Sequence, residues 1–330
     1  MTYVPLHLHT QYSLLDGAIQ IDKLIPHLQK QSITSCAITD HGFLGGLVEF
    51  QKACVEADIH PLLGCESYIT EDQDYCAQEG KHRDNSHLVI LAKDNEGLSQ
   101  LFRLQSEAGL HNFYYKPRIQ RSKLEALSGH AVLTSACLKG IIGASLIFQR
   151  DDFGVVRDVV PAYPREFGQM LSWYRDLFPG DFYLEIQDWD DQSHIQSMYN
   201  KFILSLARKE DLPVVITTDA HYLTRNDHTL HEVMMAMQLG IPLPTYLEGE
   251  VMRYGPHFYV KSPAEMQQSA EKWNIPSAVS NTVEIAEKCN ALIELGTYYP
   301  PVFNIESATD YQEFLEWEKL HCNIDGSRIS

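Results

Sequence analysis

Nothing in this 330-residue chain approaches the roughly 20 continuous apolar residues that a membrane-spanning helix needs. The N-terminus enters a strand-like run without the charged and apolar regions of a secretory signal. We therefore expect a cytoplasmic protein with no membrane partner. Cysteine is sparse and scattered: seven residues, odd in number and with no C-x-x-C spacing, exclude a disulfide framework and argue against a thiolate zinc knuckle. Basic charge is also short, with 26 Lys and Arg against 44 Asp and Glu and a formal net charge of −18. Nucleic-acid affinity draws largely on cations that neutralise phosphates. A free-standing duplex-DNA binder would normally look basic, so any nucleic acid is expected at a local site, where bound divalent ions would offset part of the carboxylate charge. There is no G-x-S-x-G elbow, no P-loop, no internal repeat and no low-complexity tract, so acyl transfer and P-loop nucleotide binding lack support. What remains is an ordinary globular composition, 44% hydrophobic and 21% charged, long enough for one large α/β domain or two smaller ones.

Against that background, one short stretch stands out. Pro5-Leu6-His7-Leu8-His9-Thr10 sets two histidines one residue apart at the end of an apolar run, with Asp16 seven residues beyond His9. On an extended chain, side chains two apart face the same way, which is metal-ligand geometry. The pattern recurs. Val214 to His221 closes an apolar run on Asp219-Ala220-His221, Cys36 to Gly42 closes on Asp40-His41, and Leu62 to Glu66 closes on a carboxylate. A single His-x-His is also compatible with a satisfied or surface pair; recurrence at four strand ends favours a site. Imidazole with added carboxylates suits zinc, manganese or iron, several ions sharing oxygens.

Apolar, β-branched runs predict strands near 4–9, 35–40, 60–69, 87–93, 131–136, 182–187 and 213–218. Helical periodicity falls between them, over 21–31, 44–56, 97–108, 121–127, 165–178 and 194–209. Alternation of this kind argues a parallel βα barrel or a doubly wound sheet. Ligand-type residues at the ends of many successive strands favour the barrel over the single switch point of an open sheet. A helix from about 228 to 238, a turn-rich stretch over 241–262, and helices near 263–270 and 275–289 follow, before a looser tail holding Pro300-Pro301 and an unstructured end from Gly326 to Ser330.

Seven ordered motifs carry a family resemblance: His7 to Gly17, Thr39-Asp40-His41-Gly42, Gly64-Cys65-Glu66, His87 to Lys93, Tyr115-Lys116-Pro117-Arg118-Ile119, Thr134 to Gly140, and Thr218 to Tyr222. The chain resembles the polymerase-and-histidinol-phosphatase (PHP) domain, in the branch at the N-terminus of the alpha subunit of bacterial DNA polymerase III. The resemblance runs from about residue 3 to about residue 290. It implies an α/β fold, a distorted seven-stranded parallel βα barrel with a C-terminal helical extension. The domain would span 1–290, with 291–330 a linker into an incomplete polymerase region. It also implies up to three divalent ions, Zn, Mn or Fe. Carried onto this sequence, the ligands are His7, His9, Asp16, His41, Glu66, His87, Cys137, Asp219 and His221.

Some of these positions have a second reading. Cys137 is either a ligand, as the resemblance implies, or a plain buried thiol. His87 lies at the start of its strand rather than the end, as a residue capping a sheet edge would. Asp40 supports His41 or caps the following turn. Arg118 grips a phosphate through its planar fork or packs against aromatics. Glu185 supports a ligand or is simply held by hydrogen bonds. His60, His82, His111 and His228 read as surface or packing residues.

Such a cluster suits phosphate-ester hydrolysis. The leading expectation is a 3′-5′ exonuclease that proofreads a DNA 3′ end, with His9, Asp219 and Arg118 as its catalytic residues. The alternatives are a metal-stabilised structural module that braces the remainder of the alpha subunit or docks a separate proofreading subunit, and a small-molecule phosphatase like histidinol-phosphate phosphatase. The text around His87 and Arg118 matches the polymerase branch more closely than that last reading. The palm carboxylates of DNA-directed DNA polymerase activity lie, by resemblance, beyond residue 330.

Overall fold

The computed structural model describes residues 3–71, 85–189, 194–248, 255–298 and 308–321. It divides into two compact units, residues 1–293 and 294–330. Among the described residues of the first unit, strands β1 (Ser35–Ile38), β2 (His60–Thr70), β3 (Ser86–Ala92), β4 (Phe113–Tyr114), β5 (Lys116–Gln120), β6 (Ala131–Thr134), β9 (Phe182–Gln187) and β10 (Val214–Thr217) form one sheet. Its order is β10-β9-β6-β3-β2-β5-β4, with β1 also paired to β2. A separate hairpin joins β7 (Leu146–Arg150) to β8 (Val156–Pro161).

Six of the seven strands read from the sequence are present, but the all-parallel arrangement is corrected. β1 and β5 run parallel to β2, and β9 runs parallel to β6 and β10. β3, in contrast, is antiparallel to both β2 and β6. A strand buried on both faces carries the same apolar run whichever way it points, so hydrophobic pattern alone does not reveal direction. The expected strand at 4–9 is an extended segment rather than a regular strand. Ala37 and Thr39 donate backbone N–H groups to Pro5 and Leu8 on one side; on the other, His9 donates to the Ala220 carbonyl and Ala220 donates to the His7 carbonyl. Residues 5–9 thereby lie between β1 and the end of β10.

One hydrophobic cluster explains the curl of the sheet and the position of the site. Leu6, Ala37, Leu62, Val89, Leu91, Val132, Tyr183 and Val215 meet one another, one or two from nearly every strand, so they must occupy the concave face. Helix α9 (Ser277–Lys288) closes the bottom of this layer with Ile285 and Ala286. Alternate residues of a strand share a face. Moving up two residues at a time therefore takes β2 from Leu62 to Glu66, β6 from Val132 to Thr134, β9 from Tyr183 to Glu185, and β10 from Val215 to Thr217. The antiparallel β3 passes from Leu91 through Val89 to His87 in the same direction. An apolar floor thus gives way to a polar upper layer.

Helices α1 (Ile21–Lys30), α2 (Leu47–Glu56), α3 (Asn95–His111), α4 (Pro164–Leu177) and α5 (Ile195–Glu210) cover the convex side close to their expected positions. The stretch 121–127 is a 3-10 helix instead of an α-helix. Helices α6 (His228–Leu239), α7 (Leu243–Glu248) and α8 (Pro263–Lys272) follow β10. In the second unit, α10 (Ala308–His321) replaces part of the looser tail expected there. Pro300-Pro301 and the end from Gly326 to Ser330 lie outside the described residues.

The close approach of α3 to the loop before β6 gives a paired stability test. Asp94 caps the helix by accepting from the Gly97 N–H, and a Cβ on Gly97 would lie 2.0 Å from the carbonyl oxygen of His130. A Cβ on Gly109 in the same helix meets nothing within 4 Å. Gly97→Ala should cost about 2 kcal/mol or more through the overpacked backbone. Gly109→Ala should stabilise by about 0.5–1 kcal/mol through helix propensity. Urea denaturation of the two variants checks the opposite signs.

Candidate metal centre

The two most suggestive sequence motifs are stitched to each other. Leu8 and Ala220 form a parallel bridge, reinforced by His9 N–H to Ala220 C=O at 2.8 Å and Ala220 N–H to His7 C=O at 3.1 Å. Leu8 and Ala220 both point into the apolar core beneath α1 and α2. Their flanking residues His7, His9, Asp219 and His221 are thereby turned to the opposite, polar side. Asp219 has a left-handed backbone, φ 49°, an uncommon conformation for a non-glycine residue, and one often found where a site re-aims a side chain. A second bridge joins His41 to Glu66, and a third joins His87 to Gly140. The reversed direction of β3 explains His87. Its start lies at the same edge as the end of β2, with His87 in register with Tyr68.

The side chains converge on three carboxylates. Glu66 lies 3.2 Å from His7 Nε2, 3.6 Å from His9 Nε2, 2.6 Å from His41 Nδ1 and 2.9 Å from His87 Nδ1. Asp219 Oδ1 is 3.2 Å from His7 Nε2 and 3.1 Å from His9 Nε2. Asp16 is 3.1 Å from His41 Nε2 and 3.6 Å from His221 Nε2. Three overlapping groups are able to coordinate a divalent ion: His9 with His41 and His221, His7 with His9 and Glu66, and His41 with Glu66 and His87.

Two observations test whether these residues fit bound ions. Ligand atoms each about 2.1 Å from a tetrahedral ion stand roughly 3.4 Å apart, the spacing found for most of these pairs. In addition, His7 Nε2, Asp16 Oδ1, both ring nitrogens of His41 and Glu66 Oε2 are buried and make no hydrogen bond. Buried polar atoms are ordinarily satisfied, so atoms aimed at one another without hydrogen-bond geometry are suited to a shared cation. The residues fit the ions.

The electrostatics point the same way. Burial raises the carboxyl groups of Glu66, Asp219 and Asp16, but the surrounding imidazoles outweigh it and hold all three well below the usual carboxylate range. Burial, together with the neighbouring His41 and His221, lowers His9 to about 3, leaving it neutral as a ligand must be. His221 is lowered chiefly by burial too. Burial also pulls His41 down, yet Glu66 and Asp16 raise it to about 10. Three buried anions demand positive charge, which protons or metal ions can supply.

Supporting residues fix the rings. Glu185 accepts from the Thr217 hydroxyl at 2.6 Å and from the Thr134 hydroxyl, and it faces His7 Nδ1 at 2.8 Å. That contact turns His7 Nε2 toward Glu66 and Asp219. His221 Nδ1 lies 2.7 Å from the Asp219 carbonyl, which turns its Nε2 toward Asp16. Asp40 acts differently from either expectation. It accepts from the Thr10 N–H, the Thr10 hydroxyl and the Ser13 hydroxyl at 2.6–2.7 Å. Ser13 Oγ lies 3.3 Å from His9 Nδ1 and accepts from the His41 N–H at 3.1 Å. Asp40 therefore pins the loop that carries His9 rather than the His41 ring.

Cys137 meets the cluster at His87, with Sγ 3.8 Å from Nδ1, and burial holds its thiol well above the usual range. Arg118 is fully buried, with its guanidinium carbon 5.6 Å from the centre of the Tyr114 ring. His60 bonds the Cys289 carbonyl, His228 faces the Arg225 carbonyl and His111 is exposed; His82 lies outside the described residues. One histidine was missed. His231, on the inner face of α6, is 1% exposed and places Nε2 3.5 Å from Asp16 Oδ1. The available signal was helical: His231 and Met235 share a buried face four residues apart.

An α/β domain with several overlapping imidazole and carboxylate groups at one end of a curled sheet is thus defined. Residues 5–189 match the family model for the PHP domain, and the chain belongs to that family. Asp219, His221 and His231 complete the cluster from beyond the matched stretch. The likeness to polymerase alpha subunits is borne out. The chain is 32% identical over 97% of its length to the DNA polymerase III subunit alpha of Chlamydia trachomatis, covering 27% of that protein. It is 33% identical over 98% of its length to the subunit of Campylobacter jejuni, covering 26%. The Helicobacter pylori subunit is 33% identical over 96% of this chain, which covers 26% of it. The chain spans about a quarter of the length of these curated relatives. Among the described residues, no helix is long and apolar enough to cross a membrane.

Asp40 gives a test of the supporting network. Asp40→Asn replaces one acceptor oxygen with a donor against the Thr10 and Ser13 hydrogen bonds. Metal affinity should fall about 10–100-fold with the fold retained, as read by chelator competition and circular dichroism.

Proposed function

We propose that this chain is the metal-dependent phosphoesterase portion of a replicative DNA polymerase III alpha subunit, acting as a 3′-5′ exonuclease on a DNA 3′ end. The observation that carries the reading is the convergence of His7, His9, His41 and His87 on the buried Glu66, with Asp219 and Asp16 beside it. The proposed ligands are those seven residues with His221 and Cys137, holding up to three ions of zinc, manganese or iron. Bound ions would supply Lewis acidity, making a water more acidic and neutralising phosphoryl charge.

The chain's own residues account for the rest. Glu185 and the Asp219 carbonyl set the orientations of His7 and His221, and Asp40 fixes the His9 loop. The apolar floor keeps water from entering the site from below. Arg118 emerges on the same face of the sheet as Glu66, since it is in register with Tyr68 two residues beyond. That placement supports a role on the phosphate side of the site, with His9 and Asp219 holding the reacting end. No side-chain nucleophile is required. DNA polymerisation is not assigned to these residues; the partners proposed are the remainder of the alpha subunit and a separate proofreading subunit.

A second reading has its own observation. Residues 5–9 are joined to β1 and to the end of β10 by a few backbone bonds and an isolated bridge. Ions held by His7, His9 and Asp219 would brace that seam, making the domain a structural support.

A primer-template with a mismatched 3′ end separates the two. Metal-dependent shortening by the purified chain, lost by at least about 10²-fold in Asp219→Ala and His9→Ala together with bound metal, is the expected result. Metal retained in the unaltered chain without any shortening would overturn the hydrolytic reading in favour of the brace. Elemental analysis and gel-resolved primer lengths provide the two readouts.

A further inference from the structure

A second hollow, of about 520 Å³, opens beside the metal centre between the end of β9, the turn at Arg225, the segment leading to Lys261, and α8. Two short chains of contacts connect it to the cluster. Trp189 Nε1 donates to Gln187 Oε1 at 3.0 Å, and Gln187 Nε2 faces Asp219 Oδ2 at 3.4 Å. The Trp189 ring also lies 5.3 Å from Phe258, whose ring lies 6.2 Å from His221.

The charges in the hollow are unevenly committed. The Asp188 carboxylate takes Lys272 Nζ at 2.6 Å and Trp273 Nε1 at 3.0 Å. The Glu265 carboxylate caps α8 through Ser262 and accepts from the Tyr259 hydroxyl at 2.5 Å. Both acids are therefore engaged. Lys261 is only 8% exposed, yet among the described residues its ammonium donates to one neutral acceptor, the Asp188 carbonyl at 3.1 Å, and forms no ion pair. Burial lowers its pKa while Asp188 and Glu265 attract it without a direct ion pair, and its Nζ lies 5.9 Å from the centre of the Tyr259 ring. An ammonium has three protons to donate, so an anion could still be taken up. Arg225 is exposed and likewise forms no ion pair among the described residues. The hollow thus holds three cations, Lys261, Lys272 and Arg225, against the two carboxylates, an excess of one positive charge in a chain of net charge −18. The partly exposed rings of Trp189 and Tyr259 line the same space.

We infer that this hollow is the nucleotide subsite of the metal centre and takes a single-stranded polynucleotide, with Lys261 and Arg225 on its phosphodiester groups and a base stacked on Trp189. Cations that track the backbone beside an aromatic platform are the chemistry by which single strands are held without sequence preference. The volume suits a small-ligand site, which typically measures about 300–1,000 Å³. The inference rests on the reading of the centre as a phosphodiesterase and specifies its substrate as an unpaired strand rather than a free phosphomonoester.

Binding is to be measured without turnover, by titrating the purified chain with a fluorescein-labelled ten-nucleotide oligothymidylate carrying phosphorothioate linkages that resist hydrolysis. Trp189→Leu should weaken binding about tenfold, the scale of one lost base stack. Arg225→Ala, at an exposed position, should reduce the slope of log affinity against log salt by about 0.7. Circular dichroism and metal content should match the unaltered chain for both. Binding weakened by both substitutions supports the subsite even if the chain cleaves nothing. Binding indifferent to both, or no binding by the unaltered chain, overturns it. If cleavage of a primer end persists in that case, the reading of the metal centre stands.

Discussion

Three carboxylates that cannot give up their charge organise the upper half of this domain. Asp16, Glu66 and Asp219 are each no more than 9% exposed. An ionised carboxylate buried this far costs several kcal/mol unless compensated. The compensation comes from imidazoles, and imidazoles reach a common point only if their backbones are held to within a fraction of an ångström. Hence the paired bridge between Leu8 and Ala220, the left-handed backbone at Asp219, and the bonds that fix Ser13 through Asp40. Each is a local arrangement that would be unnecessary if the upper layer were apolar like the floor beneath it.

Much of this architecture was legible from the chain, because fully buried strands write themselves as short β-branched runs. Six such runs became strands, and the helices between them fell within a few residues of their periodic signals. Strand direction was not legible. β3 reads like its neighbours yet runs against them, and only the register of His87 with Tyr68 reveals it. The hairpin of β7 and β8 escaped because Gln149, Arg150, Arg157 and Asp158 interrupt its apolar residues, leaving no run to detect. The N-terminal segment reads as a strand for a sound reason, its apolar run. Its hydrogen bonds, however, are shared between β1 and residue 220 in a pattern too irregular to form a ladder.

The site was legible where ligands sit two apart on extended chain, and illegible where they arrive singly from a helix. His7 and His9, or Asp219 and His221, announce themselves because strand geometry aligns them. His231 has no such partner; its approach to Asp16 depends on how α6 lies across the end of the sheet, which spacing does not encode. His87 is the intermediate case: it stands out as a ligand type, but it reaches the site from a strand start only because β3 runs against its neighbours. Thr134 and Thr217 belong to the same class as His231. Each is an ordinary β-branched strand residue in sequence, and becomes a support for Glu185 only through the register of neighbouring strands.

The acidity of the chain bears on how any polynucleotide would be met. A net charge of −18 repels a phosphate backbone at long range, although at physiological salt that repulsion decays within about 8 Å. Close attraction must then come from a few uncompensated cations. The buried carboxylates suit divalent ions, which would turn the most anionic point of the molecule into one that tolerates phosphate. Lys261 and Arg225 extend that tolerance along the path from Asp219 through Gln187 to Trp189. Acidity of this kind would disfavour the continuous contact a duplex makes and leave a narrow approach for a single end.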